Sequence, residues 1–362
     1  MPSQDQESKN IVICCDGTGD QFGVHNSNVI KLFALLESMS TKQVLYYHPG
    51  VGTKSSLEPP GYLGSLSQKF KNWHAFAFGY GMISNLANAY GFLMDTYRPG
   101  DRIFLVGFSR GAFTVRALSS LIHEFGLLDR GCHALITYML HLFFKGEPGD
   151  GELSQSFRGV FGRPCDVHFV GVWDTVDSVG WIYDPLKVPF ESNNPSIRIG
   201  RQALAIDENR CLFTPNLWAP AGAGQDFRQV WFAGAHSDVG GGYEQSGLAN
   251  IALDWMVREI EAAGVIFDPA AQKRVLQENP PNAADVRHHP LKGLWWVPEF
   301  LPQGLRPGSP PLSGGRKWEF HLGKPRYIPE NSLIHESVRQ RMRERGLNYS
   351  PANLPKQFEF VG

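Results

Sequence analysis

An alcohol, a carboxyl group and an imidazole stand at the ends of three separate apolar runs. Ser109 follows DRIFLVGF and lies inside GFSRGAF (107–113), Asp174 closes DVHFVGVWD (166–174), and His236 closes RQVWFAGAH (228–236). These groups are what a hydroxyl needs to become a nucleophile. The imidazole takes its proton, and the carboxylate orients the ring and stabilises its charged form. The serine is flanked by Gly107 and Gly111, residues that are costly in both strands and helices. That cost is offset where a strand turns sharply into a helix, because the turn lifts the serine Oγ out of the sheet edge on a strained backbone. It also aims the Arg110 amide and the positive helix end at a developing oxyanion.

Each assignment has a plainer competitor. Ser109 could be an ordinary helix cap, and His236 could satisfy nearby backbone groups beside its glycine cluster. Asp177, Asp207 and Asp238 compete with Asp174 as the orienting acid. Asp174 fits best because such an acid belongs at a buried strand end. A second oxyanion donor is expected from Gly17 or Thr18 in CDGTGD, with Asp16 bracing the loop; a plain turn is the alternative. The same DGT tripeptide occurs in a phosphatase motif whose nucleophile is an aspartate two residues before it. Here that position is Cys14, so phosphoryl transfer through an aspartate is excluded.

The elements that must position these groups are legible from periodicity. NIVICC (10–15), QVLYYH (43–48), DRIFLVG (101–107), DVHFVGVWD and RQVWFAGAH read as strands. Helical spacing appears over 28–38, 74–97, 111–126, 132–146 and 248–264, with Gly79 and Gly81 as potential breaks in the second of these. The glycine- and proline-rich stretch 49–65 reads as a loop. Continuous apolar strands separated by helices imply an α/β architecture, a mostly parallel central sheet with helices on both faces. In that arrangement the strand ends open on one edge, where ligands bind. The expected organisation is a polar tail (1–9), a catalytic core (10–264) and a proline-rich C-terminal extension packed on the core (265–362). LWWVPEFLP (294–302) and FAFGYG (76–81) are read first as buried packing, with a lid or interfacial patch as the functional alternative.

Composition narrows the classes. The 362 residues are 42% hydrophobic, enough for a large core, and the formal net charge is -1. No basic block supports a nucleic-acid partner. Five cysteines without a CxxC pair suggest a reduced protein with no zinc or redox site. His288, His289 and His335 lack ligand spacing, so no metal is expected, and nothing calls for an organic cofactor. The first ten residues, MPSQDQESKN, do not read as a secretory signal, which implies synthesis in the cytoplasm.

Serine, acid and histidine occur in the chain order of α/β-hydrolases. With CDGTGD, GVGT, GFSRGAFTVRAL, GVWDTV, DENRCLF and GAHSDVGGGY in succession, the chain resembles the catalytic domain of type VI secretion lipase effectors, once a domain of unknown function. LIHESVRQR (333–341) is similar to the closing segment of that family. The resemblance implies an α/β-hydrolase fold, a Ser109–Asp174–His236 triad and phospholipase A-type cleavage of glycerophospholipid esters by a serine esterase. It further implies export by a type VI system, transient contact with a membrane surface, and an immunity or delivery protein as partner. The alternatives are a soluble carboxylesterase or thioesterase on small acyl substrates, and a catalytically silent hydrolase fold that only binds.

Overall fold

The continuous apolar runs become the strands of one sheet. The computed structural model describes residues 7–17, 23–50, 66–145, 150–176, 180–181, 184–185, 188–304 and 318–362, with side chains described from residue 81 onward in the helix that begins at 66. In chain order the sheet strands are Asn10–Cys15 (β1), Gln43–His48 (β2), Arg102–Phe108 (β3), Val167–Trp173 (β4), Ile197–Ala205 (β5), Asp226–Phe232 (β6), Ser332–His335 (β7) and Phe358–Val361 (β8). The helices are Asn28–Phe33 (α1), Leu66–Thr96 (α2), Arg110–Phe125 (α3), Ala134–Lys145 (α4), Asp150–Phe161 (α5), His236–Gly240 (α6), Gly247–Ala262 (α7), Pro269–Glu278 (α8) and Glu336–Arg343 (α9).

The eight strands lie in the order β8-β7-β6-β5-β4-β3-β1-β2 and all pair in parallel. Parallel pairing requires both faces to be covered, and side-chain alternation shows how. Ile11, Ile13, Ile103 and Leu105 point to a core built with α2, α3 and α4. Val12, Cys14, Phe104 and Val106 point to the opposite core, built with α1 and α7. A third cluster, around Trp231, Ile334 and Tyr349, seals the β7 side of the sheet.

The strand order reverses once. The chain leaves β1 for β2 on one side, then returns across to β3 on the other. The connections therefore diverge at the C-terminal ends of β1 and β3, which opens a crevice there. Register brings those ends level, with Cys15 opposite Gly107. Phe108 in turn lies opposite Trp173, and Trp173 opposite Ala203.

Several expectations change. The helix read over 28–38 ends at Phe33, and α2 runs unbroken from Leu66 through Gly79 and Gly81. β5 is a strand that periodicity misses, since Arg198, Gly200, Arg201 and Gln202 interrupt its apolar residues. The structure satisfies those polar groups: Arg201 pairs with Asp226 and Glu259, and Gln202 donates to the Asn216 carbonyl. The segment 265–362, read as an extension on the core, supplies the last two strands of the sheet itself. The 49–65 loop lies outside the described residues beyond Gly50.

Candidate active site

The turn after β3 explains both glycines. A Cβ on Gly107 would lie 2.6 Å from the backbone of Gly111, and one on Gly111 would lie 2.1 Å from the Cys15 carbonyl oxygen. Strand, helix and the end of β1 thus meet at distances that exclude any side chain. Ser109 between them has φ 55° and ψ -119°, a conformation L residues rarely adopt. Its amide donates to the Trp173 carbonyl at 3.1 Å. Its side chain makes no capping hydrogen bond to α3, which removes the helix-cap reading.

The hydroxyl faces histidine instead. Ser109 Oγ lies 2.8 Å from His236 Nε2, and His236 Nδ1 lies 2.6 Å from Asp174 Oδ2. The three groups, up to 127 residues apart in the chain, form one hydrogen-bonded row. A carboxylate on Nδ1 fixes the tautomer with Nε2 as the acceptor, the form that can take the serine proton. The imidazole is held on two sides, by the Phe108 ring at 4.7 Å and edge-on by the Phe213 ring at 4.9 Å. Its backbone opens α6, where Asp238 accepts from the Ala235 amide and Glu208 from the His236 amide.

The competing acids are committed elsewhere. Asp207 accepts from the Gly234 amide, Arg287 and Tyr349. Asp238 binds His288, whose ring stacks on Tyr243. Asp177 lies outside the described residues.

Asp174 has a partner that sequence reasoning missed. Arg326 donates Nη1 to Oδ1 at 2.6 Å and Nη2 to Oδ2 at 2.9 Å, a fork-on-fork pair. The same guanidinium donates to the carbonyls of Ala205 and Phe213. Asp174 is fully buried, and the Ala205 amide gives it one further hydrogen bond. Burial pushes its pKa up, but the Arg326 charge and then the His236 hydrogen bond outweigh that, so the carboxyl titrates below the usual range. No local pattern marks Arg326, which sits in GKPRYI 152 residues beyond Asp174.

The loop after β1 is tied by Asp16. Its Oδ2 accepts from Ser27 and Tyr47, and its Oδ1 from the Gly17 amide at 2.8 Å. Gly17 therefore already has a carboxylate partner, and Thr18 lies outside the described residues. Arg110 is the first residue of α3, directly after Ser109.

The aromatic segment does not pack inside. Residues 293–300 form two short 3-10 turns, Gly293–Trp296 and Pro298–Phe300. Leu294, Trp295, Trp296, Val297 and Phe300 are all exposed, against the first reading of buried packing. Trp295 still touches the site, with its ring 5.5 Å from Phe213. Residues 76–80 lie in α2, and their side chains are outside those described. Among the described residues no helix is long and apolar enough to cross a membrane.

Comparison with known proteins bears on the fold and the family. Uncharacterized protein YEL023C of Saccharomyces cerevisiae is 32% identical over 231 residues, 60% of this chain and 34% of that protein. The Tle1 effector bound to the VgrG spike of the type 6 secretion system shares the fold, with a TM-score of 0.50 and 16% identity over 75% of this chain and 76% of that one. An uncharacterized protein from Pseudomonas aeruginosa aligns at TM-score 0.41 and 18% identity, over 74% of this chain and 49% of that one. The chain thus spans about a third of the yeast relative and about half of the Pseudomonas chain. The family model described as T6SS, phospholipase effector Tle1-like, catalytic domain, matches residues 9–259. That match takes in the elbow, the acid and the histidine and covers more than half the sequence, and so the chain belongs to the Tle1-like catalytic-domain family of type VI secretion phospholipase effectors.

Proposed function

We propose that this chain is a serine hydrolase that cleaves glycerophospholipid carboxylic esters, in phospholipase A fashion, through an acyl-enzyme on Ser109. The observation that carries the reading is the row Ser109–His236–Asp174 on a strained elbow at the C-terminal edge of a parallel sheet. The family description supplies the substrate class.

In this mechanism His236 Nε2 accepts the Ser109 proton as Oγ attacks the ester carbonyl. Asp174 holds the ring and balances the imidazolium that forms. The Arg110 amide, next to the nucleophile at the start of α3, donates to the oxyanion. We assign the second donor to the loop after β1, to the amide of Gly17 or Thr18; Gly17 would have to exchange its Asp16 carboxylate partner for the oxyanion. One such donor contributes about 3 kcal/mol to the transition state. The leaving alcohol takes the proton back from His236. Water activated by the same ring then releases the fatty acid. Export by a type VI apparatus belongs to the same reading, supported by the family description and by the VgrG-bound neighbour.

The test uses purified wild type and Ser109→Ala on mixed phospholipid vesicles, with products identified by mass spectrometry. Wild type should release fatty acid and lysophospholipid and should label with a fluorophosphonate; the variant should do neither. Undiminished hydrolysis by the variant, or release of phosphorylated head groups instead, rejects the mechanism.

A further inference from the structure

We infer that the exposed face formed by residues 293–301 and the hairpin Pro302–Gly304/Trp318–Phe320 is a docking surface for the anionic phospholipid bilayer that presents the substrate. The inference rests on the phospholipase reading above and adds where the membrane sits.

Three observations carry it. The first is the size and exposure of the apolar face. Leu294 is 86% and Phe300 62% exposed, and Trp296, Val297, Trp318 and Phe320 are exposed beside them. The hairpin follows the second 3-10 turn directly, pairing Pro302 with Phe320 and Gly304 with Trp318, and the Trp296 ring lies 6.2 Å from Phe300. Contiguous apolar surface on this scale marks an interaction site, and tryptophan favours the boundary between water and lipid.

The second is charge. Among the described residues of 291–324 the charged side chains are Lys292, Lys324, Glu299 and Glu319. Neither acid is displayed as free negative charge. Glu299 is fully buried, where it accepts from the Cys211 amide, His321 and the Gly323 amide, and Glu319 pairs with Lys324. Lys292 is exposed at the edge of the apolar residues. An apolar face edged by Lys292, with one carboxylate buried and the other paired with a lysine, suits an anionic bilayer better than water.

The third is continuity with the candidate site. His236 contacts Phe213 at 4.9 Å, Phe213 contacts Trp295 at 5.5 Å, and Trp295 belongs to the exposed turn. Arg210 lies over both Phe213 and Trp295, at 3.5 and 4.7 Å. The buried Glu299 also ties the 3-10 turns, the segment after the hairpin and the 211 loop together. Two aromatic rings, Trp295 and Phe213, thus link this face to the imidazole.

The experiment uses the full chain with Ser109→Ala, so that vesicles are not consumed, and sedimentation with equimolar phosphatidylcholine and phosphatidylglycerol. Adding Leu294→Ser, Val297→Ser and Phe300→Ser should weaken partitioning at least tenfold. The same three substitutions in the Ser109 background should leave turnover of a water-soluble short-chain ester within twofold, which shows that the fold and reacting groups survive. Unchanged vesicle partitioning of the triple variant overturns the inference, as does a wild type that does not partition. So does a loss of self-association by light scattering without a change in partitioning, which would make a second copy the occupant. Failure of the hydrolase reading has a separate signature: absence of ester turnover and fluorophosphonate labelling in the Ser109 protein, whatever the vesicles show.

Discussion

Arg326→Gln tests how the candidate site carries a buried negative charge. Asp174 is fully buried and Arg326 nearly so, and the guanidinium supplies two of the four groups that donate to the carboxyl. Removing one partner of a buried ion pair costs about 3–5 kcal/mol, because the other is left uncompensated. At about 2.1 cal/mol/K of unfolding entropy per residue, a chain of 362 residues shifts by roughly 1.3 °C per kcal/mol, so the melting temperature should fall by about 5 °C. The loss has a pH signature. In the wild type the folded carboxyl titrates below its ordinary value, so Asp174 contributes stability above the unfolded value of about 4. That contribution disappears as pH falls through the folded value. Without Arg326, burial dominates and lifts the folded value above the unfolded one. The contribution is then present in acid and is lost as pH rises. The gap between the two proteins therefore widens from about pH 4 towards neutrality. Urea denaturation midpoints at about pH 4.5 and about pH 7.5 read the gap directly. In kcat/KM for a soluble ester, the acid limb should move to higher pH in the variant, because a protonated Asp174 no longer balances the imidazolium. Arg326→Lys, which keeps the charge and loses the fork, should fall between the two. A stability gap that is the same at both pH values would refute the electrostatic argument and leave Arg326 a packing residue.

Two further predictions concern stability. Gly111→Ala should destabilise by at least the 1–3 kcal/mol usual for overpacking, about the upper end or more, since its Cβ would sit 2.1 Å from a backbone oxygen. Gly159→Ala in α5, where a Cβ meets nothing within 4 Å, should instead be neutral or stabilise by roughly 0.5–1 kcal/mol; thermal unfolding of the pair checks the contrast. His335 is buried against the Phe232 ring, and burial lowers its pKa to about 4. Its neutral form is thus the one that folds, and its contribution is complete above the unfolded value of about 6.5 and lost as pH falls towards the folded one, about 3 kcal/mol in all. His335→Asn keeps an acceptor for the Ser337 amide at the start of α9 and removes the titration, so its urea midpoint should fall less steeply between about pH 6.5 and about pH 4. Parallel curves for the two proteins would contradict this.

The parts of the site that were legible in sequence are those imposed by local sterics. Gly107 and Gly111 announce the elbow because the crossing of strand, helix and β1 leaves no room for a Cβ, and that demand falls on adjacent residues. Ser109, Asp174 and His236 could be placed together because parallel strands deliver their ends to one edge, a rule that needs only strand positions. Arg326 and Glu299 follow no such rule. Each acts on a partner 152 or 88 residues away, and a single arginine or glutamate in a proline-rich stretch looks like surface. β5 escaped because Arg201 and Gln202 are polar in sequence, yet Arg201 finds its partners once β6 and α7 are in place, and Gln202 finds the Asn216 carbonyl between β5 and β6. The last two strands, four residues each, are too short to show periodicity; β7 pairs with the edge of β6 and β8 with β7. The exposure of 294–301 ran against its composition, since apolar residues are usually hidden unless something outside the chain covers them.

The position of Arg326 also sets a schedule for biosynthesis. A chain emerging from the ribosome has released Ser109, Asp174 and His236 by residue 236, ninety positions before the guanidinium that pairs with Asp174. Until residue 326 emerges, folding must either leave Asp174 hydrated or bury it protonated, and neither state holds the imidazole as the finished protein does. The last strands, β7 and β8, come later still. A nascent chain that has not yet reached residue 326 therefore lacks the charge that balances Asp174, and the site's electrostatics are set late in synthesis.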